Sequence, residues 1–356
     1  MLEQQALSPL AILGLLRSPA SGERRAREAI ELARAHGWEE TTSAVTAAYV
    51  ALGGAALWRG RTAEAEEWLD RAELVLRRSA QPTTAMMLYA ARAMLEFARG
   101  RYEDAMAAQR AVDGIERGLA TRHIVARRAQ ALKLEMLVRV GEIELVQRAL
   151  DEMDEDVRAT SAMRVVQATL QLARDDPDGA AAALEPILDG AAPVDSPQWQ
   201  IQALVLKAIA DDALGDAGAS SRALERALEL AEPDGLLLPF LLHPTPVLLE
   251  RHSRVRTAHA SLISEIQNLL AGRAPAARSE DAEPPREPLS ESELRVLRYL
   301  PTNLRGPEIA SELFVSQNTI RAHLRNVYAK LGVHSRTEAV KRGRELGLLS
   351  PSLRKR

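Results

Sequence analysis

Arg321 and Arg325 stand four residues apart in the run Gln317-Asn318-Thr319-Ile320-Arg321-Ala322-His323-Leu324-Arg325-Asn326. On a helix that spacing puts both guanidinium groups on one face. At about 100° per residue, Ile320, Leu324, Val327 and Leu331 form the opposite, apolar stripe, while Asn318, Ala322 and Ala329 share the arginine face. Two forked donors among small side chains suit close approach to base-pair edges in a major groove, where arginine pairs bidentately with guanine O6 and N7. Thr319, His323, Asn326 and Lys330 lie on the flank, placed for phosphates. With Gln317 at the helix start, these residues are the candidate contacts to double-stranded DNA.

Such a face needs a scaffold, and the flanking sequence supplies helix boundaries. Ser290-Glu291-Ser292-Glu293 is a capping box that opens a first helix with Leu294, Leu297 and Leu300 on one face and Pro301 as its stop. Gly306-Pro307 opens a second helix, with Ile309, Ala310 and Leu313 inward. A tight turn at Phe314-Val315-Ser316 leads to the third, which Ser316 caps and Gly332 ends. Ser335-Arg336-Thr337-Glu338 opens a fourth, ending at Gly347.

The charge distribution agrees with a polyanion partner at this end. Residues 289–356 hold 13 Lys and Arg against 6 Asp and Glu, a net +7, whereas residues 1–288 carry 33 against 43, a net −10. The overall −3 conceals this polarity.

The stretch Leu289–Val340 resembles the LuxR-type DNA-binding domain along its whole length. The resemblance implies that Glu293 anchors the turn from the first helix and that Glu308-Ile309-Ala310 begins the scaffold helix. It sets Arg321, Ala322 and Arg325 against bases and Thr319 and His323 against the backbone. It also implies a homodimer on a two-fold site, paired through Ala339, Val340 and Gly343 of the fourth helix. Asn303 stands where Gly is common in that family, Arg305-Gly306 where Ser-Asn is frequent, and Arg321 where Lys is frequent. The last change keeps the charge but alters the donor geometry.

Upstream, a turn signature recurs at Gly60, Gly100, Gly141, Asp176 and Gly215, at intervals of 40, 41, 35 and 39 residues. A small residue follows each turn five positions on (Ala65, Ala105, Val146, Ala181, Ser220), and helical segments flank it. Gly100-Arg101-Tyr102-Glu103-Asp104-Ala105 resembles a tetratricopeptide repeat, and the run from Ser221 to Gly235 resembles the end of the repeat region in MalT-like regulators. The fold class is therefore all-α: a repeat solenoid over 1–245, a terminal helix within 246–272, a flexible linker over 273–288, a helix-turn-helix domain over 289–349 and a basic tail over 350–356. Such an array offers a concave surface to an effector or protein partner. Trp58, Trp68, Tyr89 and Tyr102 fit packing between repeats better than a ligand cage.

Other functions find no support in the residues. With no cysteine, disulfides and thiolate sites are excluded, in keeping with a cytoplasmic protein. His243, His252 and His259 lie 9 and 7 residues apart, which gives no helical metal pair, so neither metal nor cofactor is expected. No nucleophile motif and no Gly-Lys of a phosphate-binding loop occurs, so an enzyme is not expected. The apolar stretch Leu7–Leu16, with Ser8 as cap and Pro9 in the first turn, is too short for a membrane span and is expected as a first helix. The alternatives are an interaction scaffold and the C-terminal portion of a larger, ATPase-containing regulator.

Overall fold

Apolar spacing of three and four produces helices throughout the described residues, which in this computed structural model are 18–37, 43–76, 82–118, 124–192, 196–254, 257–272, 287, 289–300, 306–313, 315–346 and 348. The chain divides into two compact units, 1–245 and 246–356.

The first unit is built from α1 (Pro19–Ala35), α2 (Ser43–Trp58), α3 (Thr62–Leu76), α4 (Pro82–Ala98), α5 (Tyr102–Glu116), α6 (Ile124–Arg139), α7 (Ile143–Asp151), α8 (Glu155–Arg158), α9 (Ser161–Ala173), α10 (Pro177–Leu188), α11 (Pro197–Ala213), α12 (Ala217–Ala231) and α13 (Leu238–Leu242). The pairs α2/α3, α4/α5, α6/α7, α9/α10 and α11/α12 are antiparallel hairpins. The first helices of the pairs pack in succession, α2 on α4, α4 on α6, α6 on α9 and α9 on α11.

One turn is repeated between the helices of each pair. At Gly60, Gly100, Gly141 and Gly215 the backbone is left-handed, with φ between 68° and 89°. The next amide reaches five residues back, as from Arg61 N to Ala56 O at 2.9 Å and from Arg101 N to Glu96 O at 2.9 Å. This closes the helix with its carbonyls satisfied. Ala65, Ala105 and Val146 then lie fully buried, so the second helix approaches the first closely. The fourth turn corrects the sequence reading by one residue. Asp175, not Asp176, takes the left-handed position at φ 60°, and the buried small residue five positions on is Ala180 rather than Ala181. Asp176 instead caps α10, its carboxylate accepting from Gly179 N at 2.9 Å.

Aromatic residues fill gaps between helices. Tyr49 stacks on Trp68 at 5.7 Å between ring centroids, Tyr102 meets Phe97 at 5.7 Å, and Trp58 and Tyr89 pack beside buried clusters.

After α12 the same left-handed turn recurs at Gly235 (φ 65°), but the chain does not start another hairpin. Residues 236–243 instead run back as a strap across the first helices of the repeats. Leu237 N donates to Trp58 O at 2.8 Å, and α13 packs on α2, α4 and α11. Arg59 Nε donates to Asp234 O at 3.0 Å, and Arg139 of α6 donates to Leu242 O at 2.5 Å.

The second unit comprises α14 (Pro246–Ser253), α15 (Ala260–Leu270), α16 (Glu291–Tyr299), α17 (Gly306–Glu312), α18 (Gln317–Leu331) and α19 (Arg336–Glu345). The sequence predicts one terminal helix within 246–272, whereas the structure has two. Pro246 reads as part of a turn in Pro244-Thr245-Pro246, but at a first helical position proline opens a helix. The expected helix at Leu7–Leu16, the tail over 350–356 and the linker over 273–288, residue 287 apart, lie outside the described residues.

Candidate nucleic-acid interface

The domain core is a single cluster in which Val296, Leu297, Tyr299 and Leu300 of the first helix and its cap meet Ile309 and Ala310 of α17, Ile320, Val327 and Leu331 of α18, and Ala339 of α19. Leu324 packs at its edge. On α16 the buried face is therefore set by Val296 and Leu297, and Leu294 is only half-buried.

Each end of the helices that frame the site is chemically specified. Ser290 and Glu293 form the expected capping box, with Glu293 N donating to Ser290 Oγ at 3.3 Å and Ser290 N donating to Glu293 Oε2 at 2.8 Å. At α18, Thr319 N donates to Ser316 Oγ at 3.1 Å, and the Thr319 hydroxyl lies 2.8 Å from that same oxygen. Gly332 ends α18 in the left-handed conformation that lets Val333 N reach Tyr328 O at 2.9 Å. The turn between α17 and α18 is tied by Val315 N to Ala310 O at 3.0 Å. Ser335 caps α19 through Glu338 N at 3.2 Å, while the Glu338 carboxylate accepts from His334 N at 2.9 Å.

With its apolar stripe buried, α18 turns the predicted face outward. Gln317, Asn318, Arg321, Arg325, Asn326 and Ala329 are exposed, and Thr319, Ala322 and His323 are half-buried. Neither Arg321 nor Arg325 has an intramolecular hydrogen bond or ion pair among the described residues. Two exposed guanidinium groups one helical turn apart, with Ala322 between them, form a flat cationic surface capable of bidentate pairing.

Lys330 is placed differently from its neighbours. Its Nζ lies 2.8 Å from Glu293 Oε2, and the Glu293 side chain is only 5% exposed. That hydrogen bond, together with the one from Ser290 N, holds the Glu293 carboxyl down at about 2 despite its burial. A second tie comes from Arg336, whose Nε donates to Leu300 O at 2.9 Å and Nη2 to Tyr299 O at 3.3 Å. Both ties join elements distant in sequence. Helical periodicity gives Lys330 its face but not its partner.

The fourth helix packs on the domain through its small residues. Ala339 is fully buried, Gly343 is buried and Val340 is half-buried against the cluster, so these residues hold α19 to its own domain. The reason is geometric: small residues at this spacing allow close approach, and the helix they approach lies within the same domain. Thr337, Glu338 and Lys341 are the exposed side of α19.

Among the described residues no group of His, Asp or Glu is arranged to hold a metal ion, and no helix is long and apolar enough to cross a membrane.

A short, capped helical module with an exposed cationic third helix, following a helical-repeat array, defines a helix-turn-helix protein of the repeat-bearing kind. Residues 287–342 match the family described as bacterial regulatory proteins, luxR family, and residues 75–250 match the MalT-like TPR region. The C-terminal residues thus carry a domain similar to that of the luxR family, and the residues upstream resemble the MalT-like repeat region. It is 38% identical over 109 residues to the nitrate/nitrite response regulator protein homolog of Haemophilus influenzae, covering 31% of this chain and 49% of that protein. It is 42% identical over 59 residues to the HTH-type transcriptional regulator MalT of Serratia proteamaculans, covering 17% of this chain and 6% of that protein. The transcriptional regulatory protein YdfI of Bacillus subtilis is 40% identical over 62 residues, 17% of this chain and 29% of its own length. The chain thus spans less than half the length of each of these relatives.

Proposed function

We propose that this chain is a DNA-binding transcriptional regulator rather than an enzyme. The reading rests on one observation above the others: Arg321 and Arg325 are exposed on one face of α18, the helix whose opposite face anchors the domain core. In this reading α18 enters the major groove, Arg321, Ala322 and Arg325 meet base edges, and Gln317, Asn318, Thr319, His323 and Asn326 fix the register on the backbone. Lys330 adds charge near the backbone while remaining tied to Glu293. The domain acts as a homodimer on a two-fold site, paired through α19 around Ala339, Val340 and Gly343, and the repeat array receives an effector or protein partner. The place of action is the cytoplasm, on the nucleoid.

Genome-wide mapping of DNA bound by the full chain, followed by gel-shift assays on the recovered fragments, tests this reading. Enrichment of one inverted-repeat sequence, lost in an Arg321→Ala, Arg325→Ala variant, is the expected result. Binding without sequence preference would leave the scaffold reading in its place.

A further inference from the structure

The regularity of the array breaks between Gly141 and Asp176. Here the turn signature returns after 35 residues, against 40, 41 and 39 elsewhere, and the second helix of the pair, α7, has 9 residues where α3, α5 and α12 have 15. At 1.5 Å per residue, α7 stops roughly 9 Å short of those helices. The chain then crosses to the next pair through the short helix α8, which has no counterpart between the other pairs among the described residues. Where α7 ends, a cleft of about 250 Å³ opens between α7, α8, α9 and α10. These are other helices than α2, α4 and α11, on which α13 packs.

The cleft has an apolar floor, Leu150 and Leu170, and a polar wall that carries both signs of charge, Asp151 and Arg158. Asp151 Oδ1 accepts from Gln147 Nε2 at 2.8 Å, and Gln147 is held in turn by Arg174, whose Nη1 donates to its Oε1 at 2.5 Å. The second oxygen of Asp151 has no hydrogen bond among the described residues. Arg158 pairs through Nη2 with the exposed Glu155, which leaves its Nε and Nη1 without hydrogen bonds among the described residues. Gln167 and Gln171, half-buried one turn apart on α9, make none there either.

A carboxylate, a guanidinium and two free carboxamides above an apolar floor match a small molecule that bears both an ammonium and a carboxylate. The volume lies below the roughly 300–1,000 Å³ of sites for drug-sized ligands, so it suits a metabolite of about a dozen non-hydrogen atoms. Glu152, Asp154, Glu155 and Asp156, all exposed at the end of α7 and on α8, surround this corner with negative charge, which favours a ligand of net positive charge.

On the reading of the array as the effector-receiving part, we infer that this cleft binds a free α-amino acid with a basic side chain. Its ammonium meets Asp151, its carboxylate meets Arg158, and its side chain runs past the carboxamides of Gln167 and Gln171 toward the acidic rim. The occupied cleft ties the pair α6/α7 to the pair α9/α10 at the one junction where the repeat is short, and binding to the folded array alone stabilises it.

Calorimetric titration of the full chain with L-arginine, L-lysine, L-glutamate and glucose tests this. The expected result is saturable one-site binding of L-arginine or L-lysine, with L-glutamate at least about tenfold weaker. Asp151→Asn, and Gln167→Ala combined with Gln171→Ala, should each lower the affinity by about tenfold or more, the usual effect of losing hydrogen bonds to a charged group. Circular dichroism checks that the variants are folded, and Gln167→Ala alone replaces the double variant if the latter is not. Absence of saturable binding of both basic amino acids, equal affinity for L-glutamate, or affinities unchanged in both variants overturns the assignment. Saturable binding of glucose alone overturns it too, while leaving the array a receiver of effectors. No DNA takes part, so neither result bears on the DNA-binding reading.

Discussion

Lys330 Nζ lies 2.8 Å from Glu293 Oε2, so the last turn of the helix that carries Arg321 and Arg325 is pinned to the first turn of the helix that opens the domain. Glu293 also receives the Ser290 amide, and one carboxylate therefore serves both a local cap and a link across the domain. The orientation of the arginine face depends on this pair.

Replacing Glu293 by Gln should destabilise the C-terminal domain by about 1.5–3 kcal/mol, the usual range for hydrogen bonds to a charged group. Lys330→Ala should cost a similar amount, and the double variant should cost less than the sum. Denaturant unfolding followed through the NMR signals of Tyr299 and Tyr328, which belong to this domain, reads this. Tryptophan fluorescence serves as the control, because Trp38, Trp58, Trp68 and Trp199 all belong to the first unit. Full additivity would show that the two side chains are not coupled.

The same pair predicts an acid limb. Glu293 is shifted from 4.5 down to about 2, so its contribution is complete above pH 4.5 and is lost as pH falls toward 2. The folded-state signals of Tyr299 and Tyr328 in the wild type should weaken across that window, and those of Glu293→Gln should not.

Arg321→Ala and Arg325→Ala should each cost about 1–3 kcal/mol at the correct operator and much less on random DNA, since a bidentate base contact is lost. Lys330→Ala should weaken all sequences alike and lower the salt slope by about one unit. An unchanged affinity ratio in both arginine variants, shown to be folded, would make them ordinary surface residues.

In the array, burial raises Glu135 to about 8 against the pull of Arg139, and burial, with Arg139 adding to it, lowers His243 to about 3. Glu135 therefore favours the fold fully below pH 4.5 and loses that contribution as pH rises through 8. His243 favours it above pH 6.5 and loses that as pH falls toward 3. Array stability, read by tryptophan fluorescence, should decline on both sides, and Glu135→Gln should flatten the alkaline limb alone. Gln202, the uncharged neighbour of His243, does not titrate.

Asp175→Gly should stabilise the array by up to about 1 kcal/mol, because a left-handed backbone is costly for any residue with a Cβ. Gly100→Ala should cost a comparable amount for the same reason, since its Cβ would meet nothing within 4 Å and only the φ of 73° opposes it. Thermal unfolding followed by tryptophan fluorescence checks both.

These residues also mark where sequence reading succeeds. Caps, turns and the apolar stripe of α18 are local patterns, and Ser290, Ser316 and Gly332 perform the roles their types suggest. The sequence points to Asp176 in place of Asp175 because two adjacent aspartates each suit a turn, and only the backbone conformation separates the left-handed residue from the cap. Ala339 and Gly343 show the other limit. Small residues announce close packing without saying against what. The pairing of Lys330 with Glu293 and the path of the strap link positions far apart in the chain, and periodicity carries no information about such partners.

The strap also changes how the array should form. An open stack of repeats can nucleate anywhere and fray from either end, because each repeat meets only its neighbours. Here Arg59 meets Asp234 across 175 positions and Ser18 meets Asp234 across 216. Closing a loop of that length carries an entropic cost before its contacts form, which slows the final step of folding. The repeats should therefore assemble first, by local pairing, and the strap should seat last as a distinct slow phase. Once seated, it makes the first and last hairpins melt together.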